Sequence, residues 1–236
     1  MTEAGSDVWR VATYNIRALR DDRDAVARVL RAIDPDVVCI QEAPRFLFWR
    51  RTGRRLARAA GLSIVGGGRS AAANLLLARG SVEVIRTGSV LLSKDRGLHQ
   101  RGAAFVQLRR GTALLAVAGT HLDGVEAPRL RHIRELESAV EAFVPPATPL
   151  VVAGDINDQP DSRSWNLLTA RWSDAFAVAG RGDGLTSTPL EPTRRIDAIF
   201  TSPEVEVLSC TTPDGEDVRR ASDHRPVVAE VRGGNR

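Results

Sequence analysis

The sequence predicts an α/β chain in which sheets stack face to face and helices lie outside. Three observations carry that prediction. Short apolar runs with strand-like alternation outnumber amphipathic helical stretches. Strand and helix signals alternate over the first third, then give way to successive strands. No repeat, low-complexity linker or break in composition divides the 236 residues, so one domain spanning 1–236 is expected, with its core over about 8–232.

The elements follow in order. WRVATYNI (9–16) alternates as a strand, and DDRDAVARVLRAID (21–34) has helical apolar spacing that Pro35 brings to an end. DVVCIQE (36–42) reads as a buried strand, and an arginine-rich helix follows it. LSIV, NLLLA, VEVIRTGSVLL and AAFVQLRRGTALLAVAGTHL are strands, the last broken by a turn at Gly111. Residues 127–144 form a long amphipathic helix stopped by Pro145 and Pro146. PLVVAGDI is a strand, and SRSWNLLTAR a short helix capped by Asp161 or Ser162. RIDAIFTS, VEVLSC and RPVVAEV return to strand, while 66–68 and 180–195 read as loops.

Composition excludes several classes. Hydrophobic residues are 43% and charged residues 26%, ordinary for a globular chain. Two cysteines, Cys39 and Cys210, indicate neither a disulfide framework nor a zinc cluster. The early acids and missing apolar segment in MTEAGSDVWRVATYNIR do not read as a secretory signal, and no apolar run reaches transmembrane length. A cytoplasmic location is the expectation. Net charge is +4 and the pI about 9.9. Lys94 is the only lysine, so this basicity reflects arginine usage and does not by itself point to nucleic acid. The dense cluster RFLFWRRTGRRLARAAG mixes Arg45, Arg50, Arg51, Arg54, Arg55 and Arg58 with Phe46, Leu47, Trp49 and Leu56. It reads either as a core-packed helix with a solvated basic face or as an anion-binding face.

Several apolar strands end in residues that can bind a hard cation or a phosphate. TYN ends the first strand with Asn15, IQE the second with Gln41 and Glu42, and GTH another with His121. GDIN supplies Asp155 and Asn157, RID supplies Asp197, and SDH supplies Asp223 and His224. Carboxylate and amide oxygens suit Mg²⁺, Mn²⁺ or Ca²⁺ and not a soft metal. Strand alternation places Asp155 and Asn157 on one face with Ile156 turned to the core, so the pair can converge on a single water. Each motif alone is weak, for an isolated GDIN can be a turn and RID a surface ion pair. Their joint order is specific.

That ordered set, TYNI, IQE, GTHLD, GDINDQPDS, RIDAIF and SDHRPV, resembles the endonuclease/exonuclease/phosphatase superfamily, which has the fold of pancreatic deoxyribonuclease. The resemblance runs over about 8–231 and implies a four-layered α/β/β/α sandwich of two packed mixed sheets flanked by helices. By resemblance, Asn15, Glu42 and Asp223 form the metal site, for Mg²⁺ or else Mn²⁺. His224 contacts the scissile phosphate, with Asp197 orienting its imidazole. Asp155 takes a proton from, or aligns, the attacking water, Asn157 helps to hold it, and His121 supports the phosphoryl oxygens. Whether Asp155 or a metal-bound hydroxide is the base stays open. One departure is Arg17, which stands where abasic-site endonucleases carry an acid and puts a cation near the phosphate. Arg101, in a segment near the sheet edge, and Thr186, in a loop that shapes the substrate side, complete the expected substrate contacts.

The leading functional expectation is metal-dependent hydrolysis of a phosphodiester. A DNA or RNA nuclease is the first alternative, though an aromatic content of 5% gives little support for base-stacking platforms. A catalytically silent binding or scaffold member is the second. It should have lost Glu42, Asp155, Asn157, Asp223 or His224, and all are present. A phosphate ester is the expected partner, nucleic acid one candidate among several, and the oligomeric state is open.

Overall fold

The structure is a computed structural model, and it describes residues 7–45, 47–188 and 190–233. Phe46, which the basic cluster includes, lies outside these residues. The chain opens with β1 (Val8–Asn15), α1 (Arg23–Ile33), β2 (Val37–Gln41) and α2 (Trp49–Ala59), then β3 (Ser63–Gly68), β4 (Asn74–Ala78) and β5 (Glu83–Leu91). A hairpin of β6 (Gly102–Arg110) and β7 (Ala113–His121) precedes α3 (Glu126–Phe143), β8 (Leu150–Asp155) and α4 (Arg163–Arg171). The remaining elements are β9 (Ser173–Asp174), α5 (Ala175–Ala179), β10 (Gly180–Arg181), β11 (Asp197–Thr201), β12 (Val205–Thr211), α6 (Glu216–Ala221) and β13 (Val227–Gly233).

Helix boundaries follow capping chemistry. The Asp22 carboxylate accepts hydrogen bonds from the backbone N–H groups of Asp24 and Ala25, opening α1. Ala25, Val26, Val29, Leu30 and Ile33 then form one buried stripe. Asp34 closes the helix in the left-handed region at φ 50°, ahead of Pro35. Of the two expected caps for α4 the chain uses Ser162, whose hydroxyl accepts from Trp165 N–H.

Two mixed sheets result. The seven-stranded sheet has the order β10-β12-β13-β1-β2-β4-β3, and the six-stranded sheet β5-β6-β7-β8-β11-β9. Three separate apolar clusters fill the three interfaces of a four-layered sandwich. Trp9, Cys39, Leu76, Val106, Val117 and Ile199 pack between the sheets. Tyr14, Leu30, Ile40 and Leu56 pack under α1, α2 and α6, and Phe105, Ile133, Trp165 and Phe200 under α3 and α4. The sheets approach closely at Gly119, where an added Cβ would lie 2.9 Å from Leu76 Cδ2 and 3.1 Å from Cys39 Sγ. A glycine is needed at that point for spacing and not for backbone freedom.

The structure corrects the sequence in three places. Residues 66–68 are not a loop but the end of edge strand β3, whose register shifts between Ile64 and Gly66. Within 180–195, Gly180 and Arg181 pair with β12, and Ser187 makes isolated bridges with Arg194 and His224. Helix α6 had no sequence signal; it follows Gly215 and delivers the chain into Ser222, Asp223 and His224.

Candidate active site

Strand register assembles the site. On the six-stranded sheet, β7 and β8 run parallel and place His121 opposite Asp155, while antiparallel β11 places Asp197 opposite the same Asp155. On the other sheet, parallel β1 and β2 place Asn15 opposite Gln41, with Glu42 next in the chain. The short stretch between α6 and β13 brings in Asp223 and His224. Polar groups from both sheets therefore meet at one end of the sandwich.

Asp155 is the hub. Its Oδ2 accepts from Asn15 Nδ2 at 2.9 Å, a bond that joins the two sheets, and lies 3.4 Å from His121 Nε2 and 3.9 Å from His224 Nε2. Its Oδ1 accepts from the Asn157 N–H at 2.9 Å. Burial raises the Asp155 pKa above the usual carboxylate range, and the charge of Asp197 adds to this against the pull of the charged His224. Asn15 Nδ2 also reaches Glu42 Oε1 at 3.3 Å, so one amide spans both carboxylates.

Asn157 does not continue the strand as alternation predicts. Its φ of 57° turns it into the left-handed region, and its side chain swings toward β7 instead of sharing a strand face with Asp155. There Nδ2 donates to Leu122 O at 2.9 Å and lies 3.0 Å from His121 Nε2. The amide nitrogen is a donor, so the imidazole nitrogen facing it is the acceptor and His121 is neutral. Burial agrees, pulling the His121 pKa down to about 3.

His224 has the opposite character. Burial disfavours its charge, but the Asp197 carboxylate, 2.8 Å from Nδ1, and the more distant Asp155 and Asp223 push its pKa up to about 10. The site thus holds one imidazolium and one neutral imidazole. Asp197 is positioned in turn by Thr186, whose buried hydroxyl accepts from the N–H groups of Ile196 at 3.1 Å and Asp197 at 3.2 Å. Thr186 accordingly holds the Asp197 backbone and is fully shielded from solvent, unlike the substrate contact expected of its loop.

Arg17 has a φ of 46°; its N–H donates to Asn15 Oδ1, and its Nε lies 3.3 Å from Asp223 Oδ2. A guanidinium thus neutralises the acid expected to join Asn15 and Glu42. Arg101 is mostly buried, 3.7 Å from Asp123, with Asp155 and Glu42 also acting on its charge; burial pulls its pKa down. Among the described residues its Nε has no hydrogen-bond partner.

Two supporting residues escaped the sequence reading. Ser222 donates to Asn15 O at 2.7 Å and accepts from His224 N–H at 3.3 Å, tying the last segment to β1. Arg129 of α3, only 5% exposed, donates to Ser164 Oγ, to the carbonyls of Asp123 and Gly124, and to Asp158 Oδ2 at 2.7 Å. It clamps the turn carrying Asn157. An arginine on an amphipathic helix normally signals a solvated face, and only its place on the buried stripe with Ile133 and Leu136 distinguishes it.

Ligand atoms of Asp155, Asp197 and His224, all buried, lie within 4.8 Å of one another, close enough for one metal ion. Among the described residues, Asp197 Oδ1 is buried there without a hydrogen-bond partner. Beside this group Asn15 presents its Nδ2, and Glu42 Oε1 lies 3.3 Å from that nitrogen.

Residues 12–224 match the model of the Endonuclease/Exonuclease/phosphatase family, and the chain belongs to that family. It is by that membership a phosphoesterase. The fold agrees with solved structures. An endonuclease/exonuclease/phosphatase from Bacteroides vulgatus is 23% identical with a TM-score of 0.80, over 96% of this chain and 99% of that one. A mannosyl-6-phosphatase from Bacteroides thetaiotaomicron is 18% identical with a TM-score of 0.80, over 94% and 99%. TDP2 from D. rerio, complexed with a single-strand DNA product, is 18% identical with a TM-score of 0.74, over 96% and 99%. No curated protein matches the sequence significantly. Among the described residues, no helix is long and apolar enough to cross a membrane.

Proposed function

We propose that this chain is a divalent-metal-dependent hydrolase that cleaves a phosphodiester by in-line attack of water. One observation carries the reading: Asp155 Oδ2 is the meeting point of Asn15, His121 and His224, with the Asp197–His224 pair behind it. A buried carboxylate with a raised pKa is suited to take a proton from water. Asn15 and the Asn157 N–H hold that carboxylate in place, leaving its orientation little freedom. The imidazolium of His224 is suited to donate to a phosphoryl oxygen as negative charge develops, with Asp197 keeping it charged. His121 stays neutral and fixes the Asn157 amide.

The residues fit a hard cation. Glu42 would hold it through a carboxylate oxygen, Asn15 would join through Oδ1 once that atom is released from the Arg17 N–H, and Asp223 would contribute once Arg17 is drawn toward the substrate phosphate. We assign the Asp155, Asp197 and His224 cluster to proton chemistry, because Asp197 Oδ2 is engaged by His224 Nδ1 at 2.8 Å and Asp155 Oδ2 by Asn15 Nδ2 at 2.9 Å. A bound Mg²⁺ or Mn²⁺ would supply Lewis-acid stabilisation of charge on the phosphoryl group. Substrate class is not inherited from the solved relatives, whose names span a mannosyl-6-phosphatase, a 2′,3′-cyclic phosphatase and a protein holding a DNA product.

The test is hydrolysis of bis(4-nitrophenyl) phosphate and 4-nitrophenyl phosphate, with plasmid and RNA as further arms. Mg²⁺ should support turnover and chelation abolish it. Asp155→Asn and His224→Ala should each lower kcat by about 10²–10³-fold with the fold intact. Full activity in excess chelator would refute the metal role. Inertness toward every ester would favour a silent binding protein, and preference for the monoester would replace diesterase by phosphatase.

A further inference from the structure

An open pocket of about 430 Å³ is lined by Trp49, Arg50, Gly67, Arg69 and Ser70. Nothing in the hydrolytic reading uses it. Its walls come from the start of α2, the end of β3 and the turn that follows. All three belong to the run between Glu42 and Glu83, which contains no Asp or Glu. Arg50 and Arg69 are exposed, and among the described residues neither is within ion-pair distance of an acid, whereas Arg17, Arg101 and Arg129 all have acidic partners. The guanidinium of Arg50 lies over the Trp49 ring at 5.3 Å.

The pocket is built and not merely basic. The Trp49 ring lies against the chain at Gly68, where an added Cβ would sit 2.3 Å from its Cη2. That contact requires the glycine and fixes the indole as one wall. Ser89 Oγ donates to Ser70 Oγ at 2.9 Å, leaving the Ser70 proton to point elsewhere. The pocket also connects to the catalytic cluster through backbone. Ala73 N–H bonds to Gly68 O, and Ala43 N–H, next to Glu42, bonds to Ala73 O. Ala71 packs against Gly102, the register partner of His121 and neighbour of Arg101.

We propose that this pocket is a second anion subsite. It takes a phosphate group carried by the same substrate as the scissile ester, with Arg50 and Arg69 as charge-assisted donors and Ser70 as a neutral one. Two guanidiniums without counter-ions, beside a fixed aromatic wall, match a phosphate with its adjoining organic stem. This rests on the hydrolytic reading for the position of the first phosphate. The substrate class becomes a bis-phosphorylated compound, whether a soluble ester, a phosphorylated lipid headgroup or a nucleic-acid strand.

The experiment measures binding, by calorimetry, of alkane α,ω-bisphosphonates of increasing length and of monophosphonates of matched length. At one length the bisphosphonate should bind about 10-fold tighter or more than its monophosphonate. In the Arg50→Gln/Arg69→Gln variant, with folding checked by melting, that ratio should fall to about one. Absence of a gain at every length, or a gain that survives the double replacement, overturns the subsite. Failure of the hydrolytic reading looks different: no ester is turned over, whatever the phosphonates do. Competition of the bound bisphosphonate by a 5′-phosphorylated oligonucleotide, by vesicles containing a phosphoinositide, or by neither assigns the second phosphate to nucleic acid, lipid or a soluble ester.

Discussion

Replacing Arg129 with Met tests how the catalytic turn is held. Met keeps most of the apolar stem, so packing against α3 neighbours is largely preserved and the change isolates the guanidinium. Four acceptors lose their donor: Asp158 Oδ2, Ser164 Oγ and the carbonyls of Asp123 and Gly124. Gly124 is exposed and can bond water, and Ser164 can rotate its hydroxyl. The Asp158 side chain is 21% exposed, so its charge regains only part of its hydration. Breaking a buried ion pair costs about 3–5 kcal/mol, and the partial rehydration here places the expected loss near the lower figure. For a chain of this size that is a fall in Tm of roughly 6–12 °C. Turnover should fall further than stability explains, because Asn157 sits one residue from Asp158 and its amide must still meet His121 and Leu122 O. Thermal unfolding and kcat at a temperature where the variant is fully folded are the two assays. A loss under about 1 kcal/mol, or a folded variant with normal kcat, would refute the clamp.

Two further outcomes follow from packing and charge. Gly119→Ala should cost about 1–3 kcal/mol, since its methyl must displace Leu76 and Cys39 between the sheets, and the double variant with Leu76→Ala should lose less than the sum of the two single losses by denaturant titration. In chelated protein the His224 imidazole should titrate near 10 by NMR, and Asp197→Asn should bring it back toward its ordinary 6.5. The sign follows from a raised folded pKa: the pair's stabilisation is full below about 6.5 and is lost as pH rises through about 10, so an unchanged unfolding midpoint across that window would contradict the pairing.

Much of the site was legible because strand ends are written in local sequence. An apolar run that stops at Asn15, Glu42, His121 or Asp155 announces both a buried strand and what it presents. What could not be read depends on distant chain. The 66–68 glycines look like a breaker, yet pairing with β4 and the Trp49 ring lying on Gly68 keep them in the sheet. Asn157 reads as the next strand position, and only the bonds to Leu122 O and His121 show why it turns left-handed. Thr186 resembles any loop threonine until Ile196 and Asp197, ten and eleven residues on, turn their N–H groups onto it. Helix α6 spans six residues and is held by α1, for example through Arg28 and Asp217, a pairing invisible at that separation.

The bond from Asn15 to Asp155 has a consequence for how this enzyme tolerates change. Its two ends belong to different sheets, so its length reports how far one sheet has slid over the other. A substitution deep in the inter-sheet layer, far from any reacting atom, can leave the melting curve almost unmoved and still shift Asp155 relative to Glu42. Catalytic rate is therefore a finer gauge of sheet alignment than stability is, and drift in the central core should be recorded first in kcat.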